Sequence, residues 1–297
     1  MFWAGEQWYF SSMEGVLEIN NPLYPALLKS INDPPKKLYW RGSLNEKTFD
    51  KCLSVVGSRK MSPYGQRVIE YFFSQLSKSI KIVSGFMYGV DTKAHEEALK
   101  ASFTTIAVLP CGLDFIYPSQ NVLLYRKIIE CGGLLLSEYE GSMGPRTWTY
   151  LRRNRIVAGI SEATLVVEAS EKSGSLNTAE LAGTYNRKVL SVPGNIFSEV
   201  SKGCLKLVKN GAFMVVSGLD VNEMIGFGSG KLFYDEGQLP DKDRDCRRIL
   251  DVLKAYPLDL DDLSSYLTIP INILSSKVTQ LCLSGKISEK NGRFYAG

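Results

Sequence analysis

The 297-residue sequence predicts an α/β protein in which a doubly wound parallel sheet is followed by a second, smaller domain. Two observations point there. From Cys52 to Val192 short apolar runs alternate with stretches of helical period, and the runs are apolar on both faces, as suits parallel strands covered by helices on both sides. Beyond a polar, glycine-rich stretch, the pattern changes to three short helices and a hairpin.

Residues 1–50 carry Pro22, Pro25, Pro34 and Pro35 among Tyr24, Tyr39 and Trp40, a proline density that excludes long helices. They read as an irregular lead-in lying on the next domain. Residues 51–225 form the sheet domain. Its first strand, Leu53-Ser54-Val55-Val56, ends in Gly57-Ser58-Arg59, and a helix over 64–79 buries Val68, Ile69, Phe72, Phe73 and Leu76. Strands at 81–83, 105–109, 134–136, 165–167 and 189–192 continue the series, with helices at 90–100 and about 121–130. This alternation implies a Rossmann-like domain. Residues 226–243, with Gly226, Gly228, Gly230 and Gly237, read as a linker. In 244–297, three small helices precede strands around Ile287 and Phe294 that turn at Asn291-Gly292, the pattern of a winged helix.

A hydrophobic content of 44% with 22% charged residues suits a globular chain with a buried core. The net charge of +4 permits a nucleic-acid partner without requiring one, so any bound phosphates must be held by local clustering. Six cysteines without a Cys-x-x-Cys pair and one histidine, His95, argue against a zinc site or a disulfide framework, and no metal or cofactor is expected. Met1–Glu6 is not the start of a signal peptide, and no apolar run approaches the ~18 residues of a membrane span. The expected compartment is the cytoplasm, with no membrane partner.

In an open parallel sheet, ligands sit beyond the carboxyl ends of the strands. Two segments destined for that edge stand out. Tyr150-Leu151-Arg152-Arg153-Asn154-Arg155, with Arg146 and Trp148 just before it, interleaves guanidiniums with aromatic rings, a pairing that holds phosphates and stacks bases. Lys172-Ser173-Gly174-Ser175 opens a helix whose first N–H groups and dipole attract anions. The spread of Arg152, Arg153 and Arg155 around one helical turn means that at least one should pair with a carboxylate instead. Gly57-Ser58-Arg59 and Ser84-Gly85 end the first two strands, and taken alone the former reads equally as a plain strand-to-helix turn. No second glycine follows Gly57 at dinucleotide spacing, which disfavours hydride transfer. A lone histidine supports no nucleophilic triad. Asp91 reads as a helix cap, His95 as packed, and Cys111 as a buried thiol.

These motifs occur in an order that resembles the DprA (DNA-processing protein A, or Smf) family. They are Val55-Val56-Gly57-Ser58-Arg59, Ser84-Gly85 with Gly89-Val90-Asp91 and Ala94-His95, Gly112-Leu113-Asp114 with Tyr117-Pro118, Arg153-Asn154-Arg155-Ile156, and Lys172-Ser173-Gly174-Ser175-Leu176. The resemblance spans nearly the whole chain. It implies a cytoplasmic, dimeric protein, not an enzyme, that binds and protects incoming single-stranded DNA in natural transformation and loads the RecA recombinase onto it. It further implies a DNA pocket lined by Arg59, Tyr150, Arg153, Arg155 and Lys172, with Ser58 and the amides of Ser173, Gly174 and Ser175 on phosphates. Gly57, Ser84, Gly85, Arg146 and Asn154 complete the expected DNA-binding set. Two departures accompany it: Tyr88 stands where members usually carry an arginine, and a larger N-terminal helical module is expected to be absent or reduced.

Two other readings compete. The lysine-decarboxylase-like phosphoribohydrolases share this kind of fold and use a Gly-Gly-x-Gly-Thr-x-x-Glu turn. Here Glu180 follows Thr178 one residue too early, which rotates it by about 100° away from a base's position. A sequence-specific regulator would read duplex DNA with Asn272, Ser275, Ser276, Lys277 and Gln280, a set with one basic residue. A protein-contact role suits the C-terminal domain better.

Overall fold

A computed structural model of the chain describes residues 13–227, 241–290 and 292–296. Residues 1–12 of the lead-in, 228–240 of the expected linker and position 291 of the expected hairpin turn lie outside the described residues. The chain divides into two compact units, residues 1–230 and 231–297.

The first unit is a mixed α/β body around a nine-stranded, mostly parallel sheet. In chain order its elements are β1 (Glu14–Glu18), α1 (Ala26–Lys29), β2 (Lys37–Gly42), β3 (Cys52–Val56), α2 (Pro63–Gln75), β4 (Lys81–Ser84), α3 (Val90–Lys100), β5 (Thr105–Leu109), α4 (Val122–Glu130), β6 (Leu134–Ser137), α5 (Thr147–Ile160), β7 (Ala163–Val166), α6 (Gly174–Thr184), β8 (Lys188–Ser191), α7 (Lys202–Lys209), β9 (Phe213–Met214) and α8 (Gly218–Met224). The strand order is β1-β2-β6-β5-β4-β3-β7-β8-β9. From β3 the chain winds through β4, β5 and β6 in one direction, then returns through α5 to build β7, β8 and β9 on the other side.

Side chains alternate across this sheet as its pleat demands. Leu53 and Val55 of β3 pack with Ile69, Phe72 and Phe73 of α2 and with α3 and α8. Cys52 and Val56 face the opposite core with Ile156, Val157 and Ile160 of α5 and Leu176 and Ala179 of α6. Helices therefore cover both faces, which is why the central strands β3, β5, β6 and β7 are buried along their whole length. At the start of α2, the Ser62 hydroxyl accepts from the Gly65 N–H at 3.3 Å and Pro63 occupies the first turn, where its missing N–H costs nothing. The helix ends at Gln75, short of the expected 79, because Leu76 turns extended and the Ser77 N–H donates to the Asn222 side chain at 2.9 Å.

The lead-in is not irregular. β2 pairs antiparallel with β6 (Tyr39 opposite Ser137) and β1 with β2, so Glu14–Glu18 and Lys37–Gly42 extend the sheet. Prolines exclude long helices, but Pro34 and Pro35 lie just outside β2 and leave a short pair of strands free to form at the edge. Arg41 on β2 ties the pair down, bonding Glu14 at 2.8 Å and Asp114 at 2.7 Å. The short β9 and the helices α7 and α8 are further elements that periodicity alone left unassigned.

The second unit comprises α9 (Asp241–Ala255), α10 (Leu260–Leu267), α11 (Ile271–Leu283) and the antiparallel strands β10 (Ile287–Lys290) and β11 (Arg293–Ala296). Its core gathers Ile249, Leu253, Leu263, Leu274, Val278, Ile287 and Phe294. Residues 241–243, expected in the linker, begin α9. Among the described residues no helix is long and apolar enough to cross a membrane.

His95 supplies a test of the core. The ring is fully buried on α3, with Nδ1 2.7 Å from the Thr105 hydroxyl. That hydroxyl gives its proton to the Ile82 carbonyl at 3.1 Å, so His95 Nδ1 carries the proton and donates. Burial, assisted by Arg153, pushes its pKa down from 6.5 to about 3. Because the folded state holds the imidazole neutral, stability is intact above pH 6.5 and falls as pH drops from there towards 3. Urea unfolding of wild type and His95→Gln across this window should show the variant losing stability less steeply, by about 1.4 kcal/mol per pH unit.

Candidate nucleic-acid interface

A cavity of about 550 Å³ opens where β3 meets β7. It lies beyond the carboxyl ends of central strands, at the point where the winding reverses, and not at a lateral edge of the sheet. Three segments wall it: the turn after β3, one face of α5, and the turn that opens α6.

The turn after β3 is fixed by backbone bonds. The Ser58 N–H donates to Glu168 O at 2.7 Å, and Ser58 O accepts from the Val90 N–H at 3.1 Å. Only glycine fits at position 57, since a Cβ there would sit 2.6 Å from a Val90 methyl and 2.8 Å from Glu168 O. The Ser58 hydroxyl accepts from the Lys60 N–H at 3.0 Å, curling the chain so that Arg59 and Lys60 border the cavity. Glu168, 2% exposed, fastens the far end of the turn: its carboxylate accepts from the Ser62 N–H at 2.8 Å and the Ser62 hydroxyl at 2.5 Å.

On α5, Tyr150, Arg153, Asn154 and Val157 form an i, i+3, i+4, i+7 stripe facing the cavity. Arg153 is 5% exposed and donates from one terminal nitrogen to the carbonyls of Gly85 and, at 2.7 Å, Val108, at the ends of β4 and β5. Gly85 is required here, because a Cβ would run into the guanidinium. Burial pulls the Arg153 pKa down, while Asp91 opposes that shift. Its two hydrogen-bond acceptors are neutral carbonyls, and its Nε is buried without a hydrogen-bond partner. The Arg59 guanidinium lies over the Tyr150 ring at 5.3 Å, and burial, reinforced by Tyr117, pushes the Tyr150 hydroxyl up to about 12.

The third wall begins α6. Ser173 caps the helix, its hydroxyl accepting from the Ser175 N–H at 3.4 Å, and Asn154 Nδ2 donates to Gly174 O at 3.4 Å. Lys172 stands exposed beside this cap. Arg59, Lys60, Arg153 and Lys172 against Asp91 alone leave the lining strongly positive. Such a site suits a ligand with several phosphates.

Residues 15–226 match the sequence profile of the family of DNA recombination-mediator protein A. The chain belongs to that family. It is 33% identical to Protein Smf of Synechocystis over 93% of this chain and 78% of the relative. The X-ray structure of DNA processing protein A (DprA) from Streptococcus pneumoniae superposes with a TM-score of 0.67 at 38% identity, covering 71% of this chain and 74% of that one. DNA processing protein A from Helicobacter pylori, whose structure addresses its single-stranded DNA binding mode, superposes with a TM-score of 0.61 at 32% identity, covering 73% of this chain and 96% of that one.

Of the residues the sequence nominated in this family member, Gly57, Ser58, Arg59, Gly85, Tyr150, Arg153, Asn154, Lys172, Ser173, Gly174 and Ser175 line the cavity. Ser84, Arg146 and Arg155 do not. The Ser84 hydroxyl is buried, donating to Val55 O at 2.6 Å. Arg146 is exposed at the start of α5. Arg155 is buried on the face of α5 away from the cavity, 2.6 Å from Glu138 and 3.4 Å from Asp33, and Arg152 joins Glu138 at 3.2 Å. Of Arg152, Arg153 and Arg155, these two are the ones that pair with carboxylates.

Lys60, Met87, Leu151, Ser170, Thr178 and Val200 also line the cavity, as does Asp91. Asp91 does not cap α3, whose cap is Gly89; its carboxylate accepts from the Met87 N–H at 3.2 Å, and burial raises its pKa. Cys111 is buried, donates to Phe115 O at 3.0 Å and has its thiol pushed up to about 11 by burial, so it is no poised nucleophile. The Tyr88 hydroxyl donates to the Gln120 side chain at 2.9 Å, outside the lining. Glu180 is exposed and also lies outside it. Among the described residues no group of His, Cys, Asp or Glu is arranged to hold a metal ion.

Glu168 had no signal in the sequence beyond its place at the end of a strand. Replacing it with alanine strands the Ser62 N–H and frees the turn that presents Arg59. Chemical denaturation of Glu168→Ala should show a loss of about 2–4 kcal/mol.

Proposed function

We propose that this protein binds single-stranded DNA through the cavity between the turn after β3, α5 and α6, holding the strand by its backbone. The observation that carries the reading is the buried Arg153 guanidinium, whose hydrogen bonds within the protein go to two carbonyls and which faces a cavity bordered by Arg59, Lys60 and Lys172, with Asp91 as the one acidic group in the lining. Phosphates supply what those groups lack. Tyr150 and the apolar Leu151 beside them give bases a surface to stack on without reading sequence. The relative from Helicobacter pylori, described for its single-stranded DNA binding mode, supports the same assignment.

Within this reading the protein works in the cytoplasm as a homodimer that shields incoming DNA during natural transformation and passes it to RecA. Two subunits on one strand multiply the sites engaged at once. Residues 51–225, with the lead-in, carry the DNA, and residues 244–297 form a winged helix that serves protein contact. In that unit Lys277, the one basic residue of the would-be reading helix, lies 3.3 Å from Asp245, which weakens its case as a duplex contact. Binding is favoured over bond-breaking because the cavity holds no activated nucleophile and Glu180 lies outside it.

Fluorescence anisotropy across a salt series tests this. An oligonucleotide engaging about three phosphates per subunit should give a slope of log affinity on log salt near −2. Arg59→Ala combined with Lys172→Ala should weaken binding by about tenfold or more while leaving thermal unfolding unchanged. Equal affinity for single strands and duplexes, or no salt dependence, would overturn the proposal.

A further inference from the structure

The loop between β8 and α7, residues 193–201, holds Phe197, the most exposed aromatic side chain among the described residues at 85%, next to Ile196 at 65%. This exposure is built in. Pro193 O accepts from the Tyr64 hydroxyl at 2.6 Å, and Val200 O accepts from the Ala169 N–H at 2.7 Å, so both ends of the loop are anchored to neighbouring segments. At the tip, the Asn195 side chain accepts from the Phe197 N–H at 2.9 Å and Asn195 O from the Ser198 N–H at 3.0 Å. The turn thus holds two large apolar side chains outward, although burying either would be favourable.

The position of the loop points to what covers them. It follows the carboxyl end of β8, the strand beside β7, and so lies on the same edge of the sheet as the cationic cavity. Val200 of this loop lines that cavity, together with Lys60 and Lys172. A strand leaving the cavity on this side meets an apolar tip with a ring whose face is open. Two side chains expose at most a few hundred Å², well below the roughly 800 Å² per partner of a stable protein interface. A nucleobase, by contrast, is covered by one ring.

We propose that the Ile196–Phe197 tip is a stacking platform for the nucleobases flanking those held in the cavity, a second contact that lengthens the footprint of each subunit on single-stranded DNA. This rests on the single-strand reading above and adds the side of the cavity on which the strand continues. A stacked base is sequence-tolerant, since every base presents a π face.

The test compares thymidylate oligomers of about four and about twelve nucleotides, the shorter filling only the cavity. Phe197→Ala should weaken binding of the longer oligomer by about tenfold and leave the shorter unchanged. Phe197→Tyr should restore the loss and Phe197→Leu, which keeps apolar bulk without a ring, should not. Arg59→Ala should weaken both lengths. Wild-type affinity of Phe197→Ala for the longer oligomer, an equal loss at both lengths, or rescue by leucine would overturn the platform while leaving the cavity reading intact. So would a loss that tracks a change in oligomeric state by sedimentation. If the wild-type protein binds neither oligomer, the cavity reading fails and the platform with it.

Discussion

Strand β3 has β4 on one side and β7 on the other, and the chain reaches them by winding in opposite directions. The helices that follow these two strands therefore lie on opposite faces of the sheet, α3 with the α2 side and α6 with the α5 side. Among the described residues of the first unit, a cavity is left open beyond the carboxyl end of β3 between them. The cavity is a consequence of that reversal, and every group that borders it is there because its segment must pass this opening.

Within the opening, the placement of charge follows from burial. Arg153 reaches it from α5, a helix packed across β3, β4 and β5 whose apolar residues Ile156, Val157 and Ile160 join the core of that face. Its guanidinium emerges where β4 and β5 end, and the carbonyls of Gly85 and Val108 solvate it partly. Carbonyl dipoles keep a cation in place without cancelling its charge, as a carboxylate would. The two other arginines on the same helix take the other course: Arg152 and Arg155 meet Glu138 and Asp33 and join α5 to the lead-in. One helical turn thus carries both a cation that lines the cavity and a structural ion-pair network.

Much of this was legible beforehand. The strands from Cys52 to Ser191 announced themselves because a buried parallel strand is apolar on both faces, and Gly57, Ser173 and Gly174 because tight turns and helix starts restrict residue type. The lead-in strands were not legible. β1 is a short edge strand on β2, and β2 in turn pairs with β6, a segment almost a hundred residues away, while the local sequence is dominated by prolines that suggest only the absence of long helices. Nor did composition separate Arg153 from Arg155. Two residues apart on a helix means about 200° of rotation, so the two must face opposite ways. Which of them faces the cavity depends on how α5 lies on the sheet.

What the sequence by itself determined is the set of elements and the chemistry at their ends: apolar strands, a Gly-Ser-Arg turn, an Arg-rich helix and a Ser-capped helix start. These are local properties, set by backbone sterics, hydrogen-bond needs and periodicity within a dozen residues. The tertiary structure alone decided which of those ends meet. It brought Arg59 over Tyr150 and Glu168 beneath Ser62, and it turned Arg155 away towards Glu138. Each of these contacts joins residues on separate elements, and their positions are fixed only when the sheet order and the faces of α5 are settled by burial of the two cores.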